Sequence, residues 1–316
     1  MKWLVTGIHG FIGSNFAHML FGMGEDVVGV DKGTYAANPK NIEGLGITVH
    51  PVDISNAHDM EQVLYACKHK GGFPDVVVNF AAESHVDRSI ESSREFVNTN
   101  ILGVQVLLDL ALKFGFKFVQ VSTDEVYGSV EQQDGKHFTE EMRLFTNSPY
   151  SASKAAADML VQSYVRTHGI NAIITRCSNN YGPRQHPEKM MPKCILNSLA
   201  RKEIPVYGDG MNIRDWIHVE DHCRGILLMS SLSENHSGEI FNLGGDNPMT
   251  NLKLVGEILK ETGGLSESVV MVEDRKGHDR TYAVDHSKAT RYGWSPTVDF
   301  KQGLKDTIEW YKERRE

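Results

Sequence analysis

Hydrophobic residues group into two kinds of segment through the first half of the chain. Six short runs rich in β-branched residues have the length of buried strands. Between them, apolar residues recur at helical spacing over longer stretches. The predicted strands are residues 3–5, 27–31, 48–52, 76–80, 118–122 and 172–176, and the predicted helices are residues 13–24, 58–70, 96–114 and 151–168.

Apolar strands that alternate with helices are typical of a parallel sheet covered on both faces. The pattern therefore predicts an α/β fold whose core is a Rossmann-like, doubly wound parallel sheet. Beyond residue 176, glycine-rich turns interrupt the pattern, and helices recur near residues 253–262 and 301–314. We predict a nucleotide-binding domain of residues 1–176, rejoined by about 213–243, and a smaller mixed α/β substrate lobe of residues 177–212 and 244–316.

Composition narrows the class of protein. The 316 residues are 40% hydrophobic and 23% charged, and a net charge of −8 without a long basic run disfavours a nucleic-acid partner. The apolar runs are too short for a bilayer span, and Gly7 follows the N-terminus too closely for a signal peptide. We therefore expect no membrane partner and a cytoplasmic protein. The widely spaced Cys67, Cys177, Cys194 and Cys223 predict reduced and mostly buried thiols.

A glycine-rich segment, residues 6–13 (TGIHGFIG), lies between the first strand and the first helix. Glycines in this place let the backbone approach a pyrophosphate, and the helix N-terminus directs N–H donors at its charge. The alternative is a tightly packed turn without a ligand. Asp31 ends the second strand, where a carboxylate accepts hydrogen bonds from an adenosine ribose and repels a 2′-phosphate. This spacing favours NAD over NADP, and a plain strand-end cap is the alternative role of Asp31.

Tyr150 and Lys154 are four residues apart, so they share one face of a predicted helix. We expect the ammonium, together with a cationic nicotinamide ring, to lower the pKa of the phenol toward the working range. The phenolate would then accept a hydroxyl proton. A tyrosine and a lysine at this spacing also arise by chance, so the pair alone does not define a site.

Two adjacent carboxylates strengthen this prediction. Thr123, Asp124 and Glu125 directly follow the fifth strand, at the edge of an open α/β sheet where ligands bind. Neighbouring carboxylates at a buried strand end predict one protonated acid and one ionised base, which an elimination of water requires. A solvated polar turn is the alternative.

Together these features resemble the extended short-chain dehydrogenase/reductase family and, within it, the dTDP-glucose 4,6-dehydratases. The most specific likeness is residues 122–128 (STDEVYG), because related epimerases lack the Asp-Glu pair. Further similar motifs span nearly the whole chain, namely residues 81–89 (AAESHVDRS), 176–183 (RCSNNYGP), 212–216 (NIRDW) and 277–282 (GHDRTY).

The resemblance implies 4,6-dehydration of a nucleoside-diphosphate hexose, with dTDP-glucose expected, in a cycle that leaves NAD unchanged. Tyr150, tuned by Lys154, takes the 4-hydroxyl proton while hydride passes to NAD, and Thr123 hydrogen-bonds the same oxygen. Glu125 removes the proton on carbon 5, Asp124 protonates the departing 6-hydroxyl, and the hydride returns to carbon 6. The product is a 4-keto-6-deoxy sugar nucleotide.

The same likeness implies that the first domain binds NAD and the smaller lobe binds the sugar nucleotide. The cofactor residues are then Gly7, Gly10, Phe11, Ile12, Gly13, Asp31, Lys32, Thr34, Asp53, Ile54, Ala81, Ala82, Thr99, Tyr150, Lys154 and Asn180. The sugar-nucleotide residues are Ser84, Thr123, Asn179, Lys189, Met190, Pro205, Tyr207, Arg214, Asn247, Arg280 and Tyr282. Arg214 and Arg280 also suit a diphosphate as bidentate donors, although an arginine of this lobe is as often in a surface ion pair.

Three further points belong to the sequence. Ile8 and His9 replace the Gly-Ala usual in the family, which predicts a bulkier, titratable group beside the pyrophosphate. His218 and His222 have the spacing of zinc ligands, but the sequence offers no third ligand and we predict no metal site. The rival functions are a sugar-nucleotide dehydratase or epimerase that uses UDP-sugars, and a non-catalytic NAD-binding sensor, which would need neither the Tyr-Lys nor the Asp-Glu pair.

The segments 96–114 and 151–168 carry apolar residues on more than one face. In the family that this chain resembles, the corresponding helices of two subunits pair as a four-helix bundle. We therefore predict a homodimer, with burial of both faces against the sheet as the alternative.

Overall fold

The computed structural model describes residues 1–232, 234–274 and 276–314, and its centre is a seven-stranded parallel sheet. The strands of this sheet are β1 (Lys2–Thr6), β2 (Asp26–Val30), β3 (Thr48–His50), β4 (Val76–Asn79), β5 (Lys117–Thr123), β6 (Ala172–Cys177) and β10 (Ile240–Leu243). Their order is β3-β2-β1-β4-β5-β6-β10, and every neighbouring pair is parallel. The predicted doubly wound sheet is confirmed, and the six strands predicted from the sequence match the first six to within two residues.

Helices cover both faces of this sheet because successive strand residues point to opposite sides. Trp3 and Val5 of β1 pack against one layer of helices, whereas Leu4 between them packs against the other. The first layer contains α1 (Phe11–Gly22) and α8 (Val219–Ser230). The second layer contains α2 (Ala57–His69), α5 (Gly103–Phe114) and α6 (Pro149–His168).

One long helical stretch, Arg94–Phe114, contains two kinds of helical geometry. It begins as α4 (Arg94–Phe96), widens to a π-helix over Val97–Leu102 and continues as α5. By length and composition this stretch could cross a membrane, which our expectation of uniformly short apolar runs overlooked. Because 56% of its most apolar window is buried inside the protein, it has the character of a core helix.

The smaller lobe combines two short sheets with three amphipathic helices. Its strands are β7 (Asn179–Tyr181), β8 (Ile204–Tyr207), β9 (Ile213–His218), β11 (Pro248–Thr250) and β12 (Val269–Val272). A three-stranded sheet has the order β11-β9-β7, and a two-stranded parallel sheet pairs β12 with β8. Its main helices are α7 (Met190–Leu199), α9 (Asn251–Thr262) and α11 (Phe300–Glu313), which share one apolar core. Two short helices pack instead against the large sheet and its helices, α3 (Val86–Glu91) beside α6 and α10 (Ser287–Arg291) beside β10.

The chain crosses between the two units more than once. After β7, α7 and β8, it returns to the large sheet through α8 and β10, so residues 219–243 pack with the first domain. Strand β9, which we expected in the returning segment, pairs instead with β7 and β11 of the small sheet. The domain boundaries remain a prediction, since strand pairing alone does not divide a chain into folding units.

Candidate active site

The glycine turn after β1 brings α1 close to the end of the sheet. Gly7 has a φ of 65°, and a Cβ there would lie 2.7 Å from the backbone nitrogen of Ala81. A Cβ on Gly13 would lie 2.4 Å from the Gly7 carbonyl oxygen, so only glycine lets the first turn of α1 pack here. Gly10 precedes that helix and its first turn carries no acidic side chain. The turn is therefore shaped for a close-lying anion at the helix N-terminus.

Ile8 and His9 do not place their side chains beside this turn's cleft, which corrects our expectation from the sequence. Ile8 is fully buried, and the absence of a side chain on Gly29 makes room for it, since a Cβ there would lie 2.8 Å from Ile8 Cδ1. His9 contributes its backbone, whose N–H donates to Asp31 Oδ2 at 2.9 Å. Neither residue lines the cleft.

Asp31 is held at the end of β2 by backbone donors. Besides the His9 bond, its Oδ1 accepts from the Gly33 N–H at 2.8 Å. The neighbouring Lys32 ammonium lies 3.4 Å from Asp53 Oδ2 and 3.7 Å from Glu83 Oε1, and it donates to Thr99 Oγ1 at 3.0 Å. The nearest cation to Asp31 along the chain is thus already matched by two carboxylates.

The end of β5 positions the adjacent carboxylates. Thr123 Oγ1 accepts a 3.3 Å bond from the Glu125 N–H and lies 3.3 Å from Asp124 Oδ1, so the strand turns at once into a short 3₁₀ helix. Asp124 is buried, and burial together with the charge of Glu125 holds its pKa well above the ordinary value. This environment therefore favours the protonated form of Asp124, as the adjacent pair led us to expect for one of its members.

Tyr150 and Lys154 lie on α6, which Ser148 caps and Pro149 begins. Both side chains are buried, and the Lys154 ammonium donates to the Val121 carbonyl oxygen at 2.7 Å. Burial and the nearby charge of Glu125 raise the pKa of Tyr150 well above its ordinary value, although a hydrogen bond with Thr123 opposes this. The lowering that we expected thus does not follow from Lys154 alone and requires the second positive charge, that of a nicotinamide ring.

Buried polar contacts fix this part of α6. Ser89 Oγ accepts from the Tyr150 N–H at 3.2 Å, and Asn100 of the π-helix donates to Ser153 Oγ at 2.9 Å. One turn after Lys154, Asp158 accepts from Arg176 Nε at 2.9 Å and from Ser122 Oγ at 3.0 Å. The helix is therefore tied to the ends of β5 and β6.

One continuous cleft joins the glycine turn to the carboxylate pair. All of the predicted cofactor residues except Asp53 line this cleft, and Asp53 forms an ion pair with Lys32, which lines it. Of the predicted sugar-nucleotide residues, Ser84, Thr123, Asn179 and Lys189 line it. The others lie farther into the small lobe, with Met190 at the start of α7, Pro205 and Tyr207 on β8, Arg214 on β9, Asn247 before β11, and Arg280 and Tyr282 before α10.

Arginines of the small lobe have different surroundings. Arg214 is buried and lies 4.1 Å over the ring of Tyr282, and its charge weakens the rise in the pKa of Asp124. Arg280 instead makes an exposed two-pronged ion pair with Asp209, at 2.8 and 3.0 Å. The alternative role of a surface ion pair therefore applies to Arg280 in this structure and not to Arg214.

Sequence reasoning missed a group of residues that closes one side of the cleft. Tyr35 OH donates to Glu188 Oε1 at 3.0 Å, and the Arg88 guanidinium lies 3.5 Å from the centre of the Tyr35 ring. Glu188 lines the cleft, as do Glu83, Ser122, Cys177, Ser178, Gln185 and His186. Tyr35 follows the predicted Thr34, and Glu188 precedes the predicted Lys189, so adjacency to those positions was the available signal.

The four cysteines and the histidine pair predicted from the sequence contact other parts of the protein. The four cysteines are free and buried, as expected. His222 is buried with its Nδ1 2.9 Å from Asn180 Oδ1, whereas His218 accepts at Nδ1 from the Glu220 N–H at the start of α8. The two imidazoles therefore serve different neighbours.

A parallel sheet with a glycine turn at its first strand and a Tyr-Lys pair beside its fifth defines a dinucleotide-dependent α/β enzyme. The chain matches the family described as GDP-mannose 4,6 dehydratase over residues 4–307, and it belongs to that family. The resemblance to dTDP-glucose 4,6-dehydratases is likewise confirmed. An enzyme of that name from Streptomyces antibioticus is 45% identical over 325 residues, covering 100% of this chain and 93% of the relative.

Solved structures agree with this assignment. A dTDP-glucose 4,6-dehydratase from Streptomyces venezuelae, solved with NAD, is 43% identical with a TM-score of 0.93, covering 100% of this chain and 98% of that one. A UDP-glucose 4-epimerase from Thermotoga maritima is 29% identical with a TM-score of 0.90, covering 99% of each chain. Since the fold is shared with an epimerase, the residues of the site must separate the two activities.

Proposed function

We propose that this protein is an NAD-dependent sugar-nucleotide 4,6-dehydratase that converts dTDP-glucose to dTDP-4-keto-6-deoxyglucose. The observation that carries the proposal is the carboxylate pair Asp124–Glu125, which lies at the end of β5 in the same cleft as Tyr150 and Lys154. Oxidation at carbon 4 requires only a base for the hydroxyl proton. Loss of water across carbons 5 and 6 requires a base and an acid in addition.

The residues of the first domain suit NAD. The glycine turn leaves no space for side chains where the pyrophosphate would approach α1, and Asp31 presents a carboxylate at the end of β2. Lys32 is matched by Asp53 and Glu83, which leaves it poorly placed to accept a 2′-phosphate. NAD, when bound, takes a hydride from carbon 4 and gives it back at carbon 6.

Tyr150 is assigned the first proton transfer. Its phenolate takes the proton of the 4-hydroxyl as the carbon 4–hydrogen bond breaks, while Thr123 hydrogen-bonds the same sugar oxygen. Lys154, fixed by its bond to Val121, supplies a positive charge one turn away that favours the phenolate. The 4-keto group that results makes the hydrogen on carbon 5 acidic.

Asp124 and Glu125 are assigned the elimination. Glu125 removes the proton from carbon 5, and the electrons of that bond form the carbon 5–carbon 6 double bond. Asp124, whose raised pKa keeps it protonated, donates its proton to the 6-hydroxyl, which leaves as water. Return of the Glu125 proton to carbon 5 completes the product. Asp124 then regains a proton from solvent, and Tyr150 releases to solvent the proton that it took from the 4-hydroxyl.

The small lobe would hold the nucleotide. Arg214 is the donor assigned to the diphosphate, because it is buried and its charge acts on Asp124. Arg280 would have to exchange its exposed pair with Asp209 for the ligand, an exchange that costs little because exposed pairs are weak. The base and the exact sugar are assigned from the relatives, with UDP-sugars as the alternative substrates.

We also propose a homodimer formed through α5 and α6. The outward stripe of α6 comprises Ala152, Ala156, Met159 and Ser163, at helical spacing and without charge, and Met159 is 63% exposed. Leu102, before α5, is 44% exposed. Pairing of these helices with their symmetry mates in a four-helix bundle would cover both residues.

The four free cysteines fit a reducing compartment, and we place the enzyme in the cytoplasm.

The direct test is incubation of the purified protein with a panel of nucleotide sugars, followed by mass spectrometry. A dehydratase lowers the mass of dTDP-glucose by one water. A product of unchanged mass but altered stereochemistry would identify an epimerase, and a preference for UDP-glucose would replace the assigned base. Binding of NAD without any product would favour the sensor.

A further inference from the structure

A chain of hydrogen bonds links the segment after β5 to the small lobe, outside the groups assigned to the reaction. Gln132 Oε1 accepts from the Ser129 N–H at 2.8 Å and from Asn147 Nδ2 at 2.7 Å. Asn147 Nδ2 also donates to Asp279 Oδ1 at 2.5 Å, and Tyr282 OH donates to Asp279 Oδ2 at 2.6 Å. Both oxygens of the buried Asp279 thus accept a side-chain hydrogen bond.

The direction of the bonds that run from Ser129 to Asp279 is determined from one end. A backbone N–H can only donate, so the Ser129 bond fixes the oxygen of the Gln132 amide. Asn147 must then turn its NH₂ group toward Gln132, and the same group faces Asp279. Asp279 Oδ1 therefore accepts from Asn147, while its Oδ2 accepts from the Tyr282 hydroxyl. A carboxylate offers one oxygen to each of these donors, whereas a carboxamide has a single oxygen.

Asp279 joins three segments that carry the site. Ser129 is five residues beyond Asp124, and Asn147 is three residues before Tyr150. A second contact supports the same junction, because the Thr281 N–H donates to Ser129 Oγ at 3.2 Å and the Thr281 carbonyl accepts from the Val130 N–H at 3.0 Å.

On the small-lobe side, Asp279 organises Arg214 and Tyr282, and Tyr282 packs in one buried cluster with Val126, the residue that follows the carboxylate pair. Its carbonyl oxygen accepts from Arg214 at 2.9 Å, while its side chain binds Tyr282, whose ring lies under the Arg214 guanidinium. Burial and the charge of Glu125 raise the pKa of Tyr282, which places Tyr282 in the field of the proposed base. Since its hydroxyl hydrogen points to Asp279, Tyr282 presents oxygen lone pairs to its other neighbours.

We propose that Asp279 is a positioning residue for the elimination step, holding Tyr282 and Arg214 in register with Asp124 and Glu125. The proposal rests on the proposed dehydratase function. Tyr282 then acts as an oriented acceptor beside the proton that Glu125 carries. Misplacing such a group by about 1 Å can cost about a hundredfold in rate.

Asp279→Asn tests this with little change of shape. The carboxamide has one oxygen where the carboxylate has two, so its NH₂ group must either oppose the Asn147 amide or reverse the Tyr282 hydroxyl, which would then accept instead of donate. We expect turnover to fall about tenfold to a hundredfold with little change in KM, and reduced nicotinamide to accumulate during turnover, because Tyr150 still performs the first oxidation. Asp274→Asn, on an exposed carboxylate of the same lobe, is the control and should leave both readouts unchanged.

A double-mutant cycle with Tyr282→Phe separates positioning from general structural support. If Asp279 acts through Tyr282, the double variant should be no slower than the slower single variant. Asn147→Ala removes the other donor, keeps the Tyr282 bond and should cause a smaller loss of the same kind. If a lowered thermal midpoint shows that Asp279→Asn folds poorly, Asn147→Ala takes its place as the test variant.

Three outcomes would overturn the assignment. The first is normal turnover by both Asp279→Asn and Asn147→Ala. The second is a loss of turnover in the Asp279→Asn, Tyr282→Phe double variant that equals the product of the two single losses. The third is a slowing of the first oxidation by Asp279→Asn that equals its slowing of dehydration. If the unaltered protein dehydrates no sugar nucleotide, the proposed function itself fails, and that result is distinguishable because it requires no variant.

Discussion

The Lys154 ammonium donates its 2.7 Å hydrogen bond to the Val121 carbonyl, at the end of β5, and not to the Tyr150 phenol one turn earlier on α6. Burial lowers the pKa of Lys154, while the charges of Asp158 and Cys177 oppose this. The lysine is thus a fixed charge that acts on Tyr150 through space. Its contribution should be visible in the pH dependence of the first oxidation.

Lys154→Met should slow the first oxidation about 10²- to 10⁴-fold and move the rising limb of its pH profile to higher pH. The direction follows because a phenol without a nearby cation loses its proton less readily. The measurement is formation of reduced nicotinamide in single-turnover reactions across a pH series. Lys305→Met, on the exposed face of α11, is the control. A slower reaction whose pH profile is unmoved would mean that Lys154 only positions neighbouring groups.

Asp124→Asn should raise the stability of the protein while it abolishes dehydration. Burial and Glu125 raise the pKa of Asp124, so the folded state holds its proton more tightly than the unfolded chain. The stability that this proton confers is complete below the unfolded pKa, near 4, and is lost as the pH rises through the folded pKa.

The carboxamide of the variant carries no such proton, so its stability has no matching pH dependence. The wild type should therefore lose free energy of unfolding relative to the variant between about pH 5 and about pH 8, by about 1.4 kcal/mol for each unit of raised pKa spanned. Urea unfolding at the two pH values measures the difference. A difference in stability that is the same at both pH values would contradict the raised pKa.

Cofactor choice depends on Asp31. We expect NAD to bind well and NADP much more weakly, because a carboxylate repels a 2′-phosphate. Asp31→Ala should reduce the ratio of the two affinities by about tenfold or more. Titration calorimetry with both cofactors measures the gap. Asp26→Ala, at the exposed start of the same strand, is the control. Equal binding of the two cofactors by the unaltered protein would remove Asp31 from this role.

The dimer depends on the outward face of α6. Met159→Glu places a charge in the centre of the proposed bundle and should convert a dimer into a monomer in sedimentation velocity at micromolar concentration. Met23→Glu makes the same change at an exposed methionine after α1 and should leave the dimer intact. A monomeric unaltered protein would refute the proposed assembly.

Local sequence patterns sufficed for six of the seven strands of the large sheet, and they missed only β10. Strands β1, β2, β4, β5 and β6 are apolar-rich runs buried on both faces, and such runs are specified by near neighbours, whereas β3 at the sheet edge is only partly buried. The π-helix at Val97–Leu102 could not be predicted in this way, because one widened turn scarcely changes the apolar spacing of the helix around it.

Contacts between distant loops could not be predicted from the sequence for a different reason. The Asn147–Asp279 bond joins residues 132 positions apart, and the Tyr35–Glu188 bond joins residues 153 positions apart. Such contacts depend on how both lobes pack, and polar loop residues carry no periodic signal. Ile8 illustrates the same limit, since its burial depends on the space that Gly29 leaves on the neighbouring strand.

The central claim is that Tyr150 performs the oxidation and that the Asp124–Glu125 pair performs the elimination. Rapid mixing of enzyme, NAD and dTDP-glucose, with reduced nicotinamide followed by absorbance and product by mass, tests it most directly. Glu125→Gln should form bound reduced nicotinamide yet lose water about 10²- to 10⁴-fold more slowly, whereas Tyr150→Phe should form neither. Normal dehydration by Glu125→Gln, or loss of its reduced-nicotinamide signal as complete as in Tyr150→Phe, would contradict the account.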